Sequence, residues 1–225
     1  MFTSIILVAL LAAYSIADKD LETFFKDYKI VPDMIDEAPK EKLKLEMDNG
    51  LLVGDGVEYK PADMMSIPII DWPSADPNKY YSVYMGCPDA PDSKDPRWAE
   101  SVHWLVLNVP GNQVDKGEIY CTYIGPFPPK NAGIMRYVYL VYEQPNKIDF
   151  DEKVIDPSDG KAHMNYKIRK FAEKYNLGAP IAGNLYRAQW DESVPGLHKS
   201  INLKTTTKIL VYDKSQHQPH QQQQP

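Results

Sequence analysis

Between residues 80 and 142 the sequence holds four apolar runs rich in β-branched and aromatic residues: Tyr80–Met85, Val102–Val109, Glu118–Ile124 and Arg136–Tyr142. Each is bounded by Pro, Gly, Asn or Asp, which interrupt strands and set turns. The connections suit antiparallel neighbours better than crossover helices. This run of strands excludes a helical bundle, and fifteen Tyr and nineteen Pro against twelve Gly agree with strands joined by stiff turns. Leu43–Met47 alternates with period two and predicts a half-buried strand, and Met64–Ile70 predicts a strand broken by Pro68. Leu21, Phe24, Phe25 and Tyr28 fall at helical spacing, with Pro32 expected to end that helix. Met164, Ile168, Phe171 and Tyr175 predict a longer helix over 164–175, closed by Gly178 and Pro180.

The two ends read differently. Residues 1–17 combine the apolar run Ile5–Ala13 with Ser15-Ile16-Ala17, the pattern of a secretory signal. The run is too short for a membrane span, which needs about 20 apolar residues. Residues 215–225 are one Ser followed by Gln, His and Pro and are expected to be disordered. One domain over 18–214 remains. Its net charge of −6 argues against a nucleic-acid partner, which requires a basic face.

Catalytic signatures are missing: no G-x-S-x-G, no H-E-x-x-H, no phosphate-binding Gly loop and no zinc-spaced Cys/His set occurs. The chain is therefore expected to be no enzyme and to use no cofactor or metal. His103 is the histidine placed within a strongly apolar strand. Strict alternation puts it on one face with Leu105 and Leu107, and Trp104, Val106 and Asn108 on the other. It is either a core histidine satisfied by the backbone or part of a site. Two proline-stiffened loops favour the site: Cys87-Pro88-Asp89-Ala90-Pro91-Asp92 upstream and Gly125-Pro126-Phe127-Pro128-Pro129 downstream.

Three stretches in the right order resemble the phosphatidylethanolamine-binding proteins, a family that includes the Raf kinase inhibitor proteins. They are CPDAPDSKDPRWAESVHWLVLNVPG (87–111), YIGPFPPKNAGIMRYVYLVYEQ (123–144) and, more weakly, FAEKYNLGAPIAGNLYRAQWDESVP (171–195). The resemblance implies a mainly β fold: a large antiparallel sheet, a second smaller sheet and a few peripheral helices. It also implies a small anion pocket at a sheet edge, walled by D-P-D-x-P, a His before Trp or Phe, the G-x-x-P-P loop and H-R-Y. Asp89, His103, Gly125, Pro128, Pro129 and Tyr137 match that pattern. Cys87 stands where the family has its first Asp, Met135 where it has its second His, and Ser193 where a Tyr is common. Phe127 adds an apolar ring at the mouth, and Met135 and Tyr137 share a strand face. The expected ligand set is therefore Cys87, Asp89, His103, Gly125, Phe127, Pro128, Met135 and Tyr137, with Arg136 expected to pair with Asp89. Two polar walls have become sulfur-bearing, so an uncharged, lipid-derived or hydrophobic ligand is expected in place of a phosphate.

The mature chain keeps Cys87 and Cys121 alone. Export permits a disulfide between them, worth about 3–4 kcal/mol by loop closure; two buried free thiols are the alternative. Two functions compete. One is a secreted carrier of a small ligand. The other is an inhibitor of a secreted protease such as a serine carboxypeptidase, since a kinase target does not suit an exported protein.

Overall fold

The computed structural model describes residues 20–197. The expected signal (1–17) and tail (215–225) lie outside the described residues. Helix α1 (Leu21–Asp27) is followed by the short α2 (Ile30–Asp33). The break comes earlier than Pro32. Lys29 takes a left-handed backbone (φ 54°), and Pro32 lies within the second turn.

Then come β1 (Glu41–Lys42), β2 (Lys44–Glu46), β3 (Leu52–Val53), β4 (Ile69–Asp71), β5 (Tyr80–Cys87), β6 (Ser101–Pro110), β7 (Glu118–Cys121) and β8 (Met135–Gln144), and after helix α3 (Ile168–Lys174) the last strand β9 (Ala182–Ala188). A six-stranded sheet has the order β1-β9-β8-β5-β6-β7, and a three-stranded antiparallel sheet the order β3-β2-β4. The fold is mainly β, as expected, with one difference: β1 joins β9 in parallel, so the large sheet is mixed. The expected helix over 164–175 begins only at Ile168, residues 164–167 forming turns.

The large sheet is the middle of three layers. One face packs on the small sheet, burying Leu43, Leu45, Val53 and Ile70 against Val83, Met85, Val106 and Tyr139. The other packs on the helices, burying Phe25, Ile30, Ile168 and Phe171 against Leu105, Val138 and Leu140. Strands buried on both faces read as continuous apolar runs, which is why β5, β6 and β8 stand out so strongly in the sequence.

At the top of β6 the ladder is irregular. Met85 is opposite Trp104 but Gly86 is opposite Val102, so one extra β6 residue, His103, is inserted. A bulge of this kind turns two successive side chains toward one face. Val102 and Leu105 join the helix-side core and Trp104 the other. His103 leaves the side of Leu105 and Leu107, where strict alternation would put it, and meets Tyr137 of the small-sheet side.

Candidate ligand pocket

His103 is 4% exposed. Its Nδ1 lies 2.9 Å from the Ile124 carbonyl oxygen. A carbonyl only accepts, so Nδ1 carries the proton and Nε2 is left as an acceptor. Burial pushes the imidazole pKa down to about 4, because a dry surrounding disfavours the cation. The histidine is therefore neutral at ordinary pH.

Aromatic rings enclose it. Tyr137 meets His103 edge-on at 5.2 Å between centroids, and the half-buried Phe127 lies at 5.5 Å. Tyr186 stacks on the far side of Tyr137 at 5.4 Å. Cys87 and Met135 belong to the same buried cluster as Tyr137. Burial and then the Asp89 charge hold the Cys87 thiol well above its usual range, so it stays protonated.

The glycine-proline loop is seated from below. A Cβ on Gly125 would come within 2.7 Å of the Met64 carbonyl oxygen and the Met65 sulfur, so only glycine lets this loop approach the Pro61–Met64 turn so closely. Pro128 is buried and Pro129 exposed.

Asp89 is held by Arg136. Its Oδ2 accepts from the Arg136 backbone N–H at 2.7 Å, and its Oδ1 from Nη2 at 2.6 Å. Arg136 Nη1 also donates to the Tyr28 carbonyl at 2.6 Å. The expected Asp89–Arg136 pair is thus present, and it anchors the acidic loop to β8 and to the N-terminal helices. Ser93 ties the same loop to the one after Pro129, its N–H and Oγ both donating to the Ala132 carbonyl.

The expected Cys87–Cys121 disulfide is not formed; both cysteines are free and buried. Cys87 is opposite Ser101 and Cys121 opposite Leu105, on the two strands flanking β6. Two strand spacings, about 10 Å, separate them, beyond the ~7 Å a disulfide tolerates. They also face different cores.

Sequence reasoning missed Tyr186 and the Ile124 carbonyl. Tyr186 sits in β9, whose Ala182-Gly183-Asn184 start lacks a strand signature. Ile124 acts through its backbone, which no side-chain pattern reveals.

The architecture is a mixed six-stranded sheet covered on one face by a small sheet and on the other by helices, with a buried aromatic cluster around His103. Residues 38–187 match the profile of the phosphatidylethanolamine-binding protein family, and the chain belongs to that family. A curated relative from Drosophila melanogaster, "Putative odorant-binding protein A5", is 42% identical over 184 residues, covering 82% of this chain and 87% of that one. The solution structure of CG7054 is 37% identical, covers 76% of this chain and 97% of its own, and superimposes with a TM-score of 0.62. The carboxypeptidase Y inhibitor, solved with its cognate proteinase, is 24% identical, covers 74% of this chain and 93% of its own, and gives a TM-score of 0.64. That last likeness is one of fold.

Proposed function

We propose that this protein is an exported carrier of a small, uncharged ligand, apolar or aromatic in body and bearing one hydrogen-bond donor such as a hydroxyl. The observation that carries the reading is the state of His103: neutral, with Nδ1 committed to Ile124 and Nε2 left to accept. A phosphate dianion needs donors and positive charge. Here the nearest guanidinium, Arg136, is bound to Asp89, and Cys87 and Met135 supply soft apolar walls. Phe127 is the half-exposed member of the ring set, so ligand entry is by displacement of its ring. Cys87, His103, Gly125, Phe127, Pro128, Met135 and Tyr137 form the site, and Asp89 shapes its wall through Arg136. The relative described as odorant-binding supports a small-molecule role. No described helix is long and apolar enough to cross a membrane. Inhibition of a protease gains support only from a neighbour alike in fold, so it is the second reading.

Calorimetry with decanol and with phosphorylethanolamine tests the proposal. Decanol binds, and His103→Phe weakens it about tenfold, the loss of roughly one hydrogen bond. Phosphorylethanolamine binding at micromolar strength, or decanol binding indifferent to His103→Phe, refutes it. Export is tested separately: the secreted protein begins at Asp18.

A further inference from the structure

A cavity of about 570 Å³ lies on the opposite face of the large sheet from His103, between the segment after α2, β8 and α3. That volume is in the range of small-molecule sites. Its interior is apolar and buried, with Ile35, Ala172 and Pro180 around Tyr142. Tyr142 is 1% exposed, and its hydroxyl has no hydrogen-bond partner among the described residues. Tyr142 lines the cavity floor, so a partner for its hydroxyl has to come from within the cavity, from water or a ligand.

The rim has a definite sign. Asp36, Glu37 and Glu173 are exposed around the opening, against the single cation Arg169. Arg169 is already engaged: Nη2 donates to the Pro32 carbonyl, and Nε lies 3.2 Å from Asp36 Oδ1. Glu37 and Glu173 form no ion pair with a described residue, so the rim keeps uncompensated negative charge over an apolar floor that includes Tyr142.

We infer that this cavity is a second ligand site, for a small organic cation: a primary amine carried on an apolar or aromatic body. The ammonium sits among the rim carboxylates, and the body lies on Ile35, Ala172 and Pro180 above Tyr142. The two sites lie on opposite faces of one sheet and differ in chemistry, a neutral acceptor at His103 and an anionic rim here.

Phenethylamine titrated into the full chain, monitored by ligand-observed NMR and calorimetry with decanol at saturation, tests the inference. The amine binds alongside decanol, and its N-acetyl derivative binds at least about threefold more weakly, as expected for partly exposed charge pairs. Glu173→Gln weakens the amine by about three- to fivefold and leaves the acetylated compound unchanged. Ala179→Trp, at the exposed rim, blocks both without touching the core. Equal binding of amine and amide, indifference to Ala179→Trp, or displacement of the amine by decanol overturns the inference. If decanol itself fails to bind, the His103 proposal falls and the amine titration still stands by itself.

Discussion

Two buried titratable groups lie in different parts of the molecule and act on stability with opposite sign. His103 is held neutral, its pKa near 4 against an ordinary 6.5. Glu100, 2% exposed, is pushed up by burial to about 7 from 4.5, although its Oε2 accepts from Tyr84 at 3.0 Å and from the Ile168 N–H at 3.3 Å. Between pH 5 and 6.5 the unfolded chain carries a protonated histidine and an ionised glutamate, and the folded chain the reverse. The histidine makes stability rise with pH, by about 1.4 kcal/mol per unit, and the glutamate makes it fall by about the same. The two cancel, so Glu100→Gln, which removes the falling component, leaves unfolding free energy climbing by about 2 kcal/mol from pH 5 to 6.5 relative to the parent. His103→Phe shows the mirror image, a loss of about 2 kcal/mol over the same window relative to the parent. Urea unfolding at pH 5, 5.75 and 6.5, followed by tryptophan fluorescence, measures both; exposed groups are common to all three proteins and drop out of the difference. Parallel pH profiles for parent and Glu100→Gln would refute the reasoning.

Three further outcomes follow from the geometry around the pocket. Asp89→Ala strands the Arg136 guanidinium and costs about 3 kcal/mol in urea unfolding, whereas a loss below 1 kcal/mol would show the pair to be dispensable. Gly125→Ala forces a Cβ against the Met64 carbonyl oxygen and lowers stability by about 1–3 kcal/mol; no change in the unfolding midpoint contradicts that seating. Without reductant, iodoacetamide leaves the folded protein unmodified and adds two groups to the unfolded one by intact mass, since both thiols are buried and burial pushes Cys121 up to about 12; an unfolded chain that takes no adduct signals a disulfide.

Much of the architecture was legible because β5, β6 and β8 are covered on both faces and so are written as unbroken apolar runs. Lys44–Glu46 was legible by the opposite signal, the alternation of a strand with one wet face. β9 was not: Ala182 and Gly183 are small because Gly183 is packed against Phe25 and Pro39, and that crowding is a property of neighbours far away in sequence. The rings beside His103 come from two loops and a strand that the motifs mark, which is why Phe127 and Tyr137 could be placed near it from the sequence. The side on which His103 points was not, since a bulge adds a residue to one strand without changing its composition. The cysteines misled for a related reason: proximity to the same loops says nothing about which core each thiol enters.

The large sheet ends in β1, two residues long, and in β7, four residues long and partly covered where Ile155 bonds to Tyr120 and bridges Cys121. Unsatisfied main-chain groups at a sheet margin are what recruits a second copy into fibrils. Short margins of this kind, two residues on one side and four partly covered ones on the other, give an incoming chain little to grip, so the fold itself guards against edge-to-edge stacking when molecules are crowded.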